Sequence, residues 1–504
     1  MSATILAIDA GGTAVKAALY DMNGQECAAA GEALRPISPA PGCVERDQEE
    51  MWQVVCRLVR LVVERAGIDA ANVAAIGLTG AGNGLFLLDE NGHPVRNGIL
   101  SSDQRAAGIV TRWQAEGREE GHIALTGQRL WAGKPLPLLA WLEQHEPSAI
   151  ARAAHALMGK DVLRYRMTGC LAQEVTDAST ASMIDQSGRV WTPAVLEHLG
   201  LTRLQSLFRD TVETLSIPDP LTTDAAAALG LRLGTPVAAG SADGHAMLLA
   251  LGVVDDTLLN VIAGTWGMNQ LATRKPTTDG SILASTLGCR PGDYVLIDGA
   301  PTSASTFEWL VDRVVGPARG SVDRDALYAW CNAQVATLSD DDPPIYFLPY
   351  VNGSLGNADA RGSFVGLSSW HHLPHMIKAV FEGVAFEHRG HVERLIKGRP
   401  VPRAVRFAGG AARSRPWLGI FATVLNRPIE ISAASELGTL GVAVLTAVAS
   451  GLHADLDAAV AAMTVVKERI EPDPRRVAAM EPRYRNYEAL KAALAPLWSQ
   501  LQGC

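Results

Sequence analysis

The stretch Ile5-Leu6-Ala7-Ile8-Asp9-Ala10-Gly11-Gly12-Thr13-Ala14-Val15-Lys16-Ala17-Ala18-Leu19-Tyr20-Asp21 constrains the fold more than any other part of the chain. It opens on an apolar run of the kind a buried central strand carries. The run stops at an acid, Asp9. Two glycines follow, which allow a tight turn and a close approach of the backbone to another body. A second apolar run ends at Asp21-Met22-Asn23-Gly24, where Asn-Gly signals a hairpin. The pattern is therefore strand, Asp-x-Gly-Gly-Thr turn, strand, hairpin. Such a turn presents several N–H groups on one side, which suits phosphate oxygens. The adjacent carboxylate suits a hydrated Mg²⁺ bridging those phosphates. A plain hairpin in which Asp9 caps its own turn fits the same residues, so the turn alone leaves both readings open.

With 504 residues the chain has room for two or three domains with substantial cores. The net charge of −9 argues against nucleic acid or an anionic membrane surface as a main partner, while a local site can still take an anionic nucleotide. The seven cysteines are scattered without CxxC spacing, which excludes a disulfide framework or a cysteine zinc site. No basic leader precedes the first strand. The longest apolar stretch, 437–452, is interrupted by glycines and is short for a membrane span. A soluble, cytoplasmic protein is expected.

Further along, Asp47 is a good N-cap for an amphipathic helix over 48–66, with Trp52, Val55, Leu58, Val59 and Val62 at helical spacing. Val73 to Thr79 reads as another buried strand. It runs into Gly80-Ala81-Gly82-Asn83-Gly84, a flexible loop of the sort that holds ligands at strand ends. Asn83 can hydrogen-bond a sugar hydroxyl or simply tolerate a left-handed turn. Asp103 is placed to cap a helix or to contact substrate. Trp131 precedes a helix around 136–142, and 143–235 reads as largely helical, with a turn at Thr176-Asp177-Ala178-Ser179 that carries few chemical signals. Asp243 follows a short strand and a glycine turn and sits in the first turn of a helix. An acid there complements the helix dipole, and it is also well placed to take a proton from a hydroxyl. The neighbouring His245 reads as structural.

The chain then repeats its opening. Leu258 to Gly267 is again an apolar run, a small-residue turn at Gly264-Thr265 and a further strand, which suggests a duplicated domain with two phosphate-binding turns. Strands are expected around 294–298 and 345–349, with a helix over 302–314. A loop at 353–360 and a long helix from His375 come next. Val405 to Ser414 is a third strand running into glycines, Gly409-Gly410-Ala411, whose backbone can lie flat against a ligand ring. Glycine in a helix costs about 1 kcal/mol relative to alanine, so Gly438 and Gly441 in one helix imply close packing or ligand approach. A terminal helix is expected near 487–501. No Gly-x4-Gly-Lys-Ser/Thr pattern and no Gly-x-Gly-x-x-Gly in a βαβ unit is present.

Three glycine turns, an early aspartate, a mid-chain aspartate and this length resemble the FGGY carbohydrate kinases, and the likeness covers nearly the whole chain. Its most specific part is Gly362-x-Phe364-x-Gly366-Leu367 followed after seven residues by His375-Met376-x-x-Ala379-Val380-Phe381-Glu382. The resemblance implies an α/β fold of two actin-like ATPase (ribonuclease H-like) domains, divided into 1–247 and 248–504, with a catalytic cleft between them. It implies ATP and Mg²⁺, with Asp9 holding the metal through water and Asp243 as the catalytic base. Gly11, Gly12 and Thr13, Gly264 and Thr265, and Gly409, Gly410 and Ala411 match the family's ATP-binding turns. Sugar is expected at Gly82, Asn83, Asp103 and Asp243. Within the family, Ser38-Pro39-x-Pro41-Gly42-x-x-Glu45-Arg46-Asp47 and Ile99-Leu100-Ser101-Ser102-Asp103-x-Arg105 look like the branch acting on L-xylulose and 3-keto-L-gulonate. Enzymes for D-xylulose usually carry Gln-Met-His-Gly where this chain has Ala81-Gly82-Asn83-Gly84. D-xylulose, ribulose, erythritol and glycerol remain alternatives, as does a non-catalytic sugar or nucleotide sensor on the same fold. The expected partners are a small sugar and ATP, with neither nucleic acid nor membrane, and a homodimer is one assembly this reading allows.

Overall fold

Strand β1 (Thr4–Ala10) and strand β2 (Ala14–Tyr20) form the expected antiparallel pair, in register from Ile5 opposite Tyr20 to Ala10 opposite Val15. Strand β3 (Glu26–Ala33) returns antiparallel beside β2 after the Asp21–Gly24 hairpin. Strand β4 (Val73–Gly80) lies parallel to β1 on its other side. The short strands β5 (Asp219–Pro220), β6 (Pro236–Val237) and β7 (Ser241–Ala242) complete this sheet, in the order β5-β6-β4-β1-β2-β3, with β7 also pairing β4. The computed structural model of the chain describes residues 3–186, 188–217, 219–320, 323–339, 341–355, 357 and 359–501. Positions 356 and 358 of the expected loop at 353–360, and Cys504, lie outside them.

Alternation along β1 decides what covers each face of the sheet. Leu6, Ile8 and Ala10 pack with Val15, Ala17 and Leu19 against helix α1 (Gln48–Ala66), through Val55, Leu58, Val59 and Val62. Asp47 caps α1 as expected, accepting from the N–H groups of Glu49 and Glu50. Ile5 and Ala7 pack on the other face with Leu440, Val442, Val444 and Leu445. Asp9 is in phase with Ile5 and Ala7, so periodicity directs it toward that second layer.

A second sheet repeats the plan of the first. Strands β8 (Leu258–Ala263) and β9 (Gly267–Thr273) are an antiparallel pair around the Gly264-Thr265 turn. With β10 (Tyr294–Ala300), β11 (Ala404–Ala408), β12 (Ile429–Ser432) and β13 (Val466–Ile470) they give the order β10-β9-β8-β11-β12-β13. In this sheet β8–β11 and β11–β12 are parallel and β12–β13 is antiparallel. Strand for strand this matches β3-β2-β1-β4-β6-β5 of the first sheet, including which neighbours are parallel wherever the pairing is resolved.

The described residues divide into two compact units that interleave along the chain. The first takes Met1–Val254, Ala272–Leu296 and Ala434–Thr464, and the second Asp255–Leu271, Ile297–Ala433 and Val465–Cys504. Between 143 and 235 the expected helices are interrupted by short strands such as His155–Leu157 and Gln173–Glu174, too brief to show any period in the sequence. The terminal helix begins earlier than expected, at Pro474. Among the described residues no helix is long and apolar enough to cross a membrane.

Candidate active site

Three parallel strands of the first sheet end side by side. In register, Asp9 faces Thr79, which faces Ser241; one residue on, Ala10 faces Gly80, which faces Ala242. Beyond these ends the chain makes the Gly11-Gly12-Thr13 turn, the 80–84 loop and Asp243. Carboxyl ends of strands are where open α/β sheets bind ligands. The expected residues Asp9, Gly11, Gly12, Thr13, Gly82, Asn83 and Asp243 are thus brought to one edge of the first unit.

The turn after β1 is held from below. Arg46, buried at 2% exposure, donates through Nη2 to Gly12 O and through Nη1 to Leu34 O, both at 2.6 Å, and Leu34 N–H donates to Thr13 O at 2.9 Å. With those carbonyls engaged, the opposite side of the turn keeps its amides, and Thr13 is exposed. In the sequence Arg46 stands out only as part of a family likeness, and nothing local marks this role.

Asp9 is half-buried, and its carboxyl is raised to about 6. Burial is the main cause, and the charges of Asp243 and Glu436 add to it, while Lys16 opposes. Lys16 Nζ donates to Glu436 Oε2 at 2.6 Å, so the cation nearest this acid is shared with another. The crowding comes from helix α4 (Leu437–Ala449). A side-chain carbon on Gly438 would stand 2.2 Å from Asp9 Oδ2, and one on Gly441 would stand 1.7 Å from Ala246 O. The two helix glycines are therefore explained by close approach.

Asp243 opens helix α3 (Asp243–Ala250). Its Oδ1 accepts from the Gly244 N–H at 2.7 Å. Burial raises its carboxyl, and the Gly244 hydrogen bond partly offsets that. A raised carboxylate is a better proton acceptor at neutral pH than an ordinary one. His245 points elsewhere: its Nε2 pairs with Leu287 O at 2.9 Å, and burial depresses it to about 4, so it stays neutral.

In the 80–84 loop Asn83 has φ +64°, the left-handed conformation foreseen for it, and its buried Oδ1 lacks a partner. Gly82 rests on helix α2 (Val175–Thr180), with Thr180 Cγ2 and Asp177 Oδ1 3.3 and 3.5 Å from where a Cβ would stand. Asp177, passed over in the sequence, is fully buried there; the only hint was an acid inside an otherwise apolar and small-residue run. Asp103 makes its hydrogen bonds to other residues. It does not cap the next helix, which starts at Ala107 with no side-chain cap. Its buried carboxylate accepts from the Val44 N–H at 2.6 Å and the Arg105 N–H at 2.8 Å, and Arg105 Nε and Nη2 clasp it at 2.9 Å each. Both oxygens are taken because Arg105 folds back onto its own loop.

In the second unit Gly264, Thr265, Gly409, Gly410 and Ala411 are likewise brought together, at the parallel ends of β8 and β11. Gly409 has φ +95°, and a Cβ on it would stand 2.4 Å from Ala263 O, so only glycine fits. Ser305 Oγ donates to Thr265 O at 2.8 Å. Ser303 Oγ, His388 and Asn269 form a buried chain behind this turn, each link 2.8 Å, with His388 held neutral by burial. No metal-binding group of three or more His, Cys, Asp or Glu side chains exists among the described residues.

The chain matches the FGGY family of carbohydrate kinases, N-terminal domain, over residues 4–250 and its C-terminal domain over 259–450. It belongs to that family, and the class of protein is a sugar phosphotransferase. It is 32% identical to the L-xylulose/3-keto-L-gulonate kinase of Escherichia coli (strain K12) over 491 residues, covering 97% of each chain. It is 33% identical to a probable L-xylulose kinase of Pasteurella multocida over 495 residues, covering 97% of this chain and 98% of the other. Among solved structures, the xylulose kinase of Rhodospirillum rubrum superposes with a TM-score of 0.91 at 27% identity, over 98% of this chain and all of that one.

Proposed function

We propose that this enzyme transfers the γ-phosphate of ATP to a primary hydroxyl of a xylulose-type ketopentose, giving xylulose 5-phosphate and ADP, or to that of the six-carbon keto acid 3-keto-L-gulonate, giving its phosphate ester and ADP; L-xylulose and 3-keto-L-gulonate are the first substrates to try. The observation that carries the reading is the meeting of Asp9, Gly11 to Thr13, the 80–84 loop and Asp243 at one set of strand ends, in a chain alike over its full length to relatives named for these sugars. A second reading, erythritol or D-xylulose as substrate, is favoured by relatives named erythritol kinase and xylulose kinase, each at 29% identity. In this division of labour, residues 1–247 carry the sugar and the base, and 248–504 carry ATP. The reaction would take place in the cytoplasm, where ATP is at hand.

Asp243 accepts the proton of the attacking hydroxyl. Gly82 and Asn83 contact the sugar, and Asp103 serves the sugar side by fixing Val44 and Arg105. The amides of Gly11, Gly12 and Thr13, and of Gly264 and Thr265, bind phosphate; Gly409, Gly410 and Ala411 support the adenosine. Phosphoryl transfer rests mainly on such positioning and on charge stabilisation. The donor set bears on Mg²⁺. A lone half-buried carboxylate, Asp9, fits an ion that keeps most of its waters and arrives with the phosphates, and does not fit a protein-built cage. When bound, that ion neutralises phosphate charge. ADP release measured across D- and L-xylulose, the ribuloses, 3-keto-L-gulonate, erythritol and glycerol tests the reading. Sugar-dependent release with a xylulose-type acceptor is expected. No release with any of them overturns it and leaves the sensor alternative standing.

A further inference from the structure

Lys160, Asp161, Arg164, Glu174 and Asp177 form a charged cluster inside the first unit, none more than 1% exposed. Three acids face two bases. Asp161 accepts from Lys160 Nζ at 3.0 Å, from Arg164 Nη2 at 2.9 Å and from Gln173. Glu174 accepts from the Thr176 N–H and hydroxyl, from the Asp177 N–H and from Thr214. Asp177 differs from both. Among the described residues neither of its oxygens accepts a hydrogen bond, and Lys160 Nζ stands at 3.8 Å, beyond hydrogen-bonding range. Folded proteins seldom leave a buried carboxylate without donors, and each instance calls for a reason.

Its surroundings supply one. Asp177 Oδ1 lies beneath Gly82, which is itself partly exposed. Asn83 Oδ1 and Ser241 Oγ, in the adjoining segments, are also buried without partners. The Ala242 N–H donates to Thr176 Oγ1 at 3.0 Å, so the helix that carries Asp177 is tied to the residue before Asp243. We propose that Asp177 is a substrate-binding residue: its carboxylate accepts a hydrogen bond from a sugar hydroxyl other than the one phosphorylated, and so selects which polyols are accepted. A hydroxyl is the donor this position calls for. It is small and neutral, and so adds no charge to a buried cluster of three acids and two bases. The inference rests on the sugar-kinase reading above.

The isosteric Asp177→Asn variant tests it, assayed with the sugar found in the ADP-release screen and with that sugar's singly deoxygenated analogues. A site built to bind a hydroxyl rejects the analogue lacking it far more strongly than an apolar pocket does. The expected result is a sugar KM raised at least ~10-fold with the KM for ATP within about twofold, and loss of the wild-type preference over one deoxy analogue. Melting temperature gives an independent sign. Removing a buried charge without donors raises it in the absence of sugar, whereas removing a structural partner of Lys160 lowers it. If Asp177→Asn does not fold, Asp177→Glu is judged by the same analogue preference. Unchanged sugar KM and unchanged preference overturn the proposal, as does a lower melting temperature with unchanged KM. Both require wild-type turnover, so they are distinct from failure of the kinase reading, in which the wild type itself turns over no sugar.

Discussion

The two glycine turns that begin the two sheets share a topology and differ in chemistry. Each joins an antiparallel pair, each lies next to a parallel strand that also ends in a glycine loop, and each presents an exposed threonine, Thr13 or Thr265. At the place where β1 carries Asp9, β8 carries Ile262. The first unit also has Asp243 after β7, which pairs β4; β11, the counterpart of β4, leads to Gly409 and Gly410. One copy of a repeated strand-turn-strand plan has thus gained acids, and the other has kept bare backbone. Amide turns suit any phosphate, so the repeat by itself specifies a place for phosphates. The acids specify a reaction.

That contrast is broken most directly at Asp243. Asp243→Asn keeps the shape of the helix start and removes the carboxylate proposed to accept the proton. Turnover is expected to fall on the order of 10²–10⁴-fold with the KM for ATP nearly unchanged, in steady-state assays of ADP release. A variant turning over at near-normal rate would remove the base from the first unit and with it the asymmetry.

Asp9 comes next. Asp9→Asn is expected to raise the Mg²⁺ concentration for half-maximal activity by about 10–100-fold, the usual cost of losing one group that orients a bound metal. Its pH dependence carries a definite sign. The folded carboxyl sits at about 6 against an ordinary 3.8. Between those values the native state holds a proton that the unfolded chain has released, so stability falls as pH rises through that window. Denaturant titrations from pH 4 to 6.5 should show this fall in the wild type and a smaller one in Asp9→Asn. Metal-dependent activity has the opposite trend, falling below about pH 6 as Asp9 takes up its proton.

How much of this was legible depends on where the signal lay. Strands β1 and β2 were readable as apolar runs bounded by glycine turns, and helix α1 from a period-3.6 pattern whose start Asp47 marked. The doubled plan was readable from Gly11-Gly12-Thr13 and Gly264-Thr265. Gly438 and Gly441 announced a close approach, but nothing local said that the approach is to Asp9 and Ala246, because their neighbours lie far off in the chain. For the same reason the return of Ala434–Thr464 to the first unit could not be read. Strands of two or three residues, such as Gln173–Glu174, show no period at all. Asp177 sits in a turn that carries few chemical signals in the sequence; what marks it is the absence of any donor among the described residues, which only coordinates reveal. Asp103 is open to two readings in the sequence, a helix cap or a substrate contact; the cap does not form because its partner, Arg105, is two residues away and turns back on it.

Packing around Asp9 sharpens the comparison without touching a charged group. Gly438→Ala places a carbon on the acid, and relief requires α4 or β1 to move; overpacking of this kind costs about 1–3 kcal/mol. Gly12→Ala has nothing within 4 Å of the added carbon and should leave stability nearly unchanged. Thermal melts of the two variants, each paired with an Mg²⁺ titration, separate crowding of the acid from damage to the turn. Gly438→Ala should shift both readings.

The smallest effect belongs to the acid-free turn. Thr265→Ala leaves the Gly264 and Thr265 amides in place, and Ser305 still donates to the Thr265 carbonyl, since that bond uses backbone. A rise of about two- to fivefold in the KM for ATP is expected, with turnover kept, because the hydroxyl would add one neutral hydrogen bond to those made by the amides. Thr13→Ala, in the turn whose carbonyls Arg46 grips, should behave alike if both turns bind phosphate through backbone. A loss in Thr265→Ala as large as that in Asp9→Asn would mean that the second turn carries chemistry of its own, and the division into a reacting copy and a gripping copy would be wrong.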